Sequence, residues 1–238
     1  MILLGIDTAT AMTSLGLCKY GEPPAVVSFP GPKNQLESIG VVVRQLLEQS
    51  GISKSQISAV ALDVGPGLFT GLRVGVSFAK SFAGGLGIPI VPVSSLDIQA
   101  YTQGNCPRTI VSLVDARRGE VFYAVYRKVP GGGVERLTDY AVASPEKVAM
   151  EIESMAESVL LVGQGAIKYS DAFSSVSQPL HFAGSATAYP LMPVLFEIAF
   201  PLTFSEEFIS PEGVEVIYIR DADAKVNFDV RHAFPKDR

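Results

Sequence analysis

The chain opens on short apolar runs separated by polar turns. Leu3 to Asp7 is apolar and ends at the turn Thr8-Ala9-Thr10-Ala11-Met12, after which Ser14 to Cys18 reads as a hairpin partner. Gly21-Glu22-Pro23-Pro24 is a strong turn signal, and Ala25 to Phe29 predicts a third strand, broken by Gly31-Pro32. The period then changes from two to 3.6. Between Gln35 and Ser50, the residues Leu36, Ile39, Gly40, Val42, Val43, Leu46 and Leu47 fill an arc of roughly 160°, which predicts a helix stopped at Gly51. Ile57 to Val64 is a β-branched run suited to a central strand. Phe69 to Leu86 is a second helix whose apolar and small residues cover roughly 220°, wider than one sheet face needs. Ile88 to Val93 carries Pro89 and Pro92, so it belongs at a sheet edge.

The second half partly repeats this plan. Thr109 to Asp115, Glu120 to Arg127 and Val134 to Ala143 predict three strands, and Ser144-Pro145 is an N-cap followed by proline at the first helical position. Val159 to Val162 predicts another strand. Gly165 to Phe173 and Thr187 to Phe200 predict helices, and Val214 to Ile219 a return to a sheet. Three antiparallel strands followed by alternating helices and strands match the mixed sheet of a ribonuclease H-like α/β fold. The expected division is a lobe over 1–100, a smaller lobe over 101–220 and a tail over 221–238.

Composition narrows the function. With 238 residues, 47% hydrophobic and 18% charged, the chain can bury a large core and is not of disordered composition. The first residues lack a basic segment, so no signal peptide is expected, and no apolar stretch approaches the ~18 residues of a membrane span. A cytoplasmic protein with no membrane contact is the expectation. Cys18 and Cys106 have no metal-type spacing and read as structural thiols. The net charge of −5 is unlike that of an autonomous RNA binder, which carries a basic stripe. Contact with RNA is therefore expected through a partner.

The chemistry begins with what is missing. His181 and His232 are the two histidines, and there is no HExxH, CxxC, GxSxG or GxxxxGK[ST] pattern. No catalytic or metal-binding residue is assigned. The turn at Asp7, Thr8 and Thr10 admits two readings: small hydroxyls and amides beside a phosphate, or a strand-end aspartate that caps its own turn. Gly65-Pro66-Gly67-Leu68-Phe69-Thr70-Gly71-Leu72-Arg73-Val74-Gly75 is more specific. Gly65 and Gly67 form a loop entering a helix N-terminus, where unpaired amides favour an anion. Gly71, Gly75, Ala79 and Ala83 recur every four residues as a smooth ridge, able to pack on a second helix or on the chain's own sheet. Ile39, Val42, Val43, Leu46, Leu72 and Val76 join that ridge as expected partner-facing positions. Asp115-Ala116-Arg117-Arg118 is either an anion site or a hairpin tip whose charges pair with Asp115 and Glu120. Val162-Gly163-Gln164-Gly165-Ala166 lies where a nucleotide-binding relative would wrap adenosine.

Together with Leu4-Gly5-Ile6-Asp7-Thr8-Ala9-Thr10, Asp115-Ala116-Arg117-Arg118-Gly119-Glu120-Val121 and Tyr218-Ile219-Arg220, the Gly65–Gly75 segment resembles the TsaB family, also called YeaZ, in order and over roughly residues 2–220. The resemblance implies two ribonuclease H-like lobes of the actin, sugar-kinase and Hsp70 type, the second reduced. It implies a non-catalytic paralogue of the transferase TsaD, needed for threonylcarbamoyl transfer to the tRNA adenosine beside the anticodon. It implies pairing with TsaD, recruitment of the ATPase TsaE, a homodimer when free, and tRNA met only through the complex. No cofactor is implied for the isolated chain, with ATP or ADP left to the complex. TsaD holds its metal with His-x-x-x-His on the helix after the third strand, whereas Asn34-Gln35-Leu36-Glu37-Ser38-Ile39 has no histidine here. Many relatives carry a single His before Ser-Glu in this region, so Gln35 and Leu36 depart from the family pattern. The competing class is an enzyme of the same superfold, a small-molecule kinase or a glycoprotease-like protein.

Overall fold

A computed structural model describes residues 1–31, 35–155 and 157–219. Its first sheet contains β1 (Ile2–Asp7), β2 (Met12–Lys19), β3 (Ala25–Pro30), β4 (Ala59–Asp63) and β5 (Ile90–Val93) in the order β3-β2-β1-β4-β5. Its second contains β6 (Thr109–Arg117), β7 (Glu120–Lys128), β8 (Val134–Arg136), β9 (Ala141–Ala143), β10 (Val159–Val162) and β11 (Leu180–Phe182), ordered β11-β10-β6-β7-β8 with β9 also on β7. The helices are α1 (Gln35–Ser50), α2 (Phe69–Leu86), α3 (Ser95–Tyr101), α4 (Pro145–Ser154), α5 (Gln164–Lys168) and α6 (Met192–Phe204).

Both sheets are covered on two faces, which explains strands that are apolar at consecutive positions. In the first, Leu4, Ile6, Leu15, Val60 and Leu62 meet α1 and α2, while Leu3, Ala59, Ala61 and Val91 meet α6 on the other side. In the second, Val111, Leu113, Val121 and Tyr123 pack with Val148 and Ile152 of α4. The opposite face, with Ile110, Phe122 and Tyr126, packs on Leu96 and Ala100 of α3. Ile98 of α3 joins the α6 core, so this short helix is shared between the sheets. Helix α6 lies within the 101–220 range and nevertheless packs on the first sheet, because its apolar residues run nearly all round it and complete that sheet's open face.

The helices over Gln35–Ser50 and Phe69–Leu86 form as the periodicity predicts, as does the strand Val159–Val162. β5 sits at the edge expected from its prolines, bridged only at Ile90 by Ile209. Ser144 Oγ accepts from Lys147 N at 3.3 Å and starts α4 as a cap. Other expectations are corrected. Val134–Ala143 is not one strand but two short ones, both paired to β7. Gly165–Phe173 divides into α5 and a 3-10 turn over Ser170–Phe173, and Thr187–Phe200 forms its helix later, at Met192–Phe204. Val214–Ile219 forms no strand; Ile217 N donates to Val64 O at 2.9 Å and Val214 is buried in the first core. Arg220, the 221–238 tail, His232 and Asn34 lie outside the described residues.

Candidate functional site

Parallel β1 and β4 run with Ile6 opposite Leu62, so Asp7 and Asp63 leave the sheet side by side. They are 2% and 1% exposed. Asp7 Oδ1 accepts from Ala9 N at 2.9 Å, and Asp63 Oδ1 accepts from Gly65 N at 2.8 Å, the same two-residue turn at both strand ends. Ser95 Oγ donates to Asp63, at 2.7 Å from Oδ1 and 2.9 Å from Oδ2. Asp7 Oδ2 is buried and has no donor among the described residues. Burial first, and the neighbouring Asp63 charge second, push the Asp7 carboxyl well above the usual carboxylate range. Burial pushes Asp63 up to about 6, against the pull of its Ser95 and Gly65 hydrogen bonds. Two buried carboxyls set side by side disfavour each other's ionisation.

The Gly65–Gly71 loop closes over this pair. Leu68 N donates to Ala9 O at 2.6 Å, and a Cβ on Gly67 would collide with that same carbonyl. Thr8 Oγ1 donates to Gly71 O at 2.7 Å, and Gly75 gives that hydroxyl its room. Thr10 Oγ1 accepts from Met12 N at 3.2 Å within its own turn. The candidate phosphate residues Asp7, Thr8, Thr10, Gly65 and Gly67 are thus brought together. Their hydroxyls and turn amides are nevertheless committed within the chain, beside two carboxyls. In this arrangement they do not fit an anion, and among the described residues no group of three or more His, Cys, Asp or Glu could hold a metal.

The positions read as partner-facing take a different place. Ile39, Val43, Leu46, Gly71, Leu72, Gly75, Val76, Ala79 and Ala83 are buried in the chain, and Val42 alone among the predicted set is half-buried. The ridge seats α2 on Thr8 and on the sheet, since small residues let the helix approach that closely. What the two helices leave outside is another strip: Val41 is exposed, and Phe69, Val74, Phe78 and Phe82 are half-buried. Cavities of about 330 Å³ beside Phe69, Arg73 and Val74, and about 400 Å³ beside Phe29, Val41 and Val42, lie along it.

At the β6–β7 hairpin the expected ion pair forms, with Arg117 Nη1 3.7 Å from Asp115 Oδ2, and Asp115 has closer partners besides. It accepts from Lys168 Nζ at 2.7 Å, Tyr169 OH at 2.9 Å and Arg117 N at 3.0 Å. Burial opposes the Asp115 charge, but these hydrogen bonds outweigh it and hold the carboxyl below its usual range. Lys168 is some fifty residues away in sequence, so the pairing had no local signal. A Cβ on Gly163 or Gly165 would collide with the Leu113 carbonyl, and one on Gly163 with Gln99 as well, so both glycines let this turn lie close against β6 and α3. Ser95 and Gln99 were missed with α3 itself. Ser94, whose Oγ accepts from Leu96 N, was the cap that could have revealed it.

Two covered mixed sheets, each with a strand-end aspartate at its hairpin, define a protein of the actin, sugar-kinase and Hsp70 class. ROK hexokinase of Thermus thermophilus shares the fold at a TM-score of 0.50 and 15% identity, over 85% of this chain and 100% of that one. A family model described as TsaD, tRNA N6-adenosine threonylcarbamoyltransferase, matches residues 31–203. The tRNA threonylcarbamoyladenosine biosynthesis protein TsaB of Haemophilus influenzae is 28% identical over 230 residues, covering 93% of this chain and 94% of the relative. The structure of YeaZ from Pseudomonas aeruginosa superposes with a TM-score of 0.78 at 25% identity, over 91% of this chain and 99% of that one. The chain belongs to the TsaB (YeaZ) family, within the wider group matched by the TsaD model. No described helix is long and apolar enough to cross a membrane.

Proposed function

We propose that this chain acts in tRNA threonylcarbamoyladenosine biosynthesis as a non-catalytic subunit that pairs with a TsaD-type transferase and helps recruit the TsaE ATPase. The place in that modification follows the names of its full-length relatives. The accessory role rests on one observation above all: the strip of Val41, Phe69, Val74, Phe78 and Phe82 on the outer side of α1 and α2. Contiguous apolar surface of this kind marks a protein interface. Free chains pair with each other through the same strip, which makes the homodimer and the heterodimer alternatives. The closed loops at Asp7 and Gly67 agree with a chain that binds no nucleotide alone, with any ATP or ADP belonging to the complex, and the charge of −5 with tRNA met through the partner.

The test is reconstitution of the modification from a TsaD-type transferase, TsaE and the threonylcarbamoyl-adenylate synthase, with and without this chain. Omission should lower modified adenosine at least tenfold. Phe78→Asp, which places a charge on the strip, should do the same; because Phe78 also packs on the edge of the first core, thermal melting must show that the variant folds. Full activity without the chain, or with folded Phe78→Asp, would reject the reading.

A further inference from the structure

A cavity of about 340 Å³ opens where α3, the β7–β8 hairpin and α6 meet, and none of its lining residues belongs to the site above. Its size falls in the range of small-ligand pockets. The walls are largely apolar, with Ile198 and Leu202 of α6 on one side and Tyr126 on the other. Three charged groups also line it, and they are not equivalent.

Asp97 is already used. Its Oδ1 accepts from Tyr126 OH and its Oδ2 from Tyr140 OH, each at 2.7 Å. Burial and the Asp97 charge push both phenols above the usual tyrosine range, so they stay protonated donors. Arg136 lies over the Tyr140 ring, its Cζ 3.9 Å from the centroid, which holds the guanidinium at the cavity wall. Its N–H groups have no acceptor among the described residues, and Glu197 on α6 has no hydrogen-bond or ion-pair partner among them. A guanidinium with unused donors matches a carboxylate, and a carboxylate with unused acceptors matches an ammonium.

We propose that this cavity binds a small apolar α-amino acid, with its carboxylate on Arg136, its ammonium on Glu197 and its side chain against Ile198, Leu202 and the Tyr126 ring. A plain amine would leave Arg136 without a counter-charge, and a plain acid would leave Glu197 without one. The walls come from α6, which packs on the first sheet, and from strands of the second, so the ligand ties the two halves together.

Isothermal titration of the full chain tests this. The probes are l-leucine, l-methionine and l-phenylalanine, with isoamylamine and 4-methylpentanoate as leucine lacking one charge each. At least one amino acid should bind saturably, and for leucine both fragments should bind tenfold or more weakly, the loss expected for one charge-assisted contact. Arg136→Gln should weaken leucine about tenfold and leave isoamylamine unchanged, and Glu197→Gln should weaken leucine and leave 4-methylpentanoate unchanged. Both side chains are exposed, so the variants should melt like the parent. No saturable heat from any of the three amino acids up to about 10 mM would overturn the proposal. So would fragments binding as tightly as leucine, or leucine binding unaltered in both variants.

Discussion

Asp7 and Asp115 occupy corresponding places in the two halves of the molecule. Asp7 is the last residue of β1 and Asp115 lies two residues before the end of β6, and each accepts from the amide two residues on, Ala9 N at 2.9 Å and Arg117 N at 3.0 Å. Locally the two turns are the same device. Their surroundings are opposite. The parallel neighbour of β1 delivers a second acid, Asp63, whereas the parallel neighbour of β6 ends in Gly163 and leaves room for Lys168 and Tyr169 of the following segment. One carboxyl is therefore pushed above the usual range beneath a closed loop, and the other is held below it at a half-exposed salt bridge. Identical backbone chemistry can thus serve a sealed joint in one lobe and an open hairpin in the other.

The loop covering Asp7 is where the comparison breaks most sharply. Gly67→Ala would drive a methyl group into the Ala9 carbonyl and should cost about 3 kcal/mol in urea unfolding, as overpacking against backbone does. At the other turn, Gly119→Ala enters open space and should cost only the ~1 kcal/mol of a side chain held at positive φ. Equal losses at the two glycines would mean that the Asp7 turn is not sealed.

A smaller effect, of opposite sign, is expected at the acid pair. Both carboxyls are pushed up in the folded chain relative to the unfolded one, so stability should fall as pH rises from about 4, with the Asp63 step near 6. Asp7→Asn removes one charge and supplies an amide donor to Asp63. It should flatten that profile and raise stability by about 2 kcal/mol at pH 8, measured by denaturant unfolding at pH 5 and pH 8. A parent profile that is already flat would show that burial does not push the two carboxyls up.

The smallest effect belongs to the salt bridge. The Asp115 pKa is depressed, so its contribution is present above the ordinary carboxylate range and disappears as pH falls below it. Lys168 is 47% exposed, so Lys168→Met should cost less than about 1 kcal/mol at neutral pH, and less still in high salt. A double-mutant cycle with Asp115→Asn at two salt concentrations would isolate the pair. A coupling as large as the Asp7→Asn effect would erase the contrast between the halves.

Much of this architecture is legible in the linear pattern. The period of 3.6 over Gln35–Ser50 and Phe69–Leu86, the strand run ending at Asp7 and the Ser144-Pro145 start of α4 are local signals that the structure repeats, while the run from Thr109 continues past Asp115 to Arg117. The Gly65–Gly75 segment also carries enough identity to place the chain in its family. The 220° arc of α2 shows that the helix is buried widely, but an arc does not say by what. Thr8 and the first sheet take the Gly71–Ala83 ridge, and the surface left to a partner shifts to Phe69, Val74, Phe78 and Phe82.

Residue type and spacing thus determined the elements, the two hairpin turns and the family, because backbone dihedrals and side-chain periodicity act over a few residues. Only the tertiary structure decided which aspartate is pushed up and which is held down, which face of α2 remains free, and that Arg136 and Glu197 line one cavity. Charge state and accessibility depend on groups brought near from tens of residues away, and the energy of an ion changes with burial far more than with its neighbours in sequence.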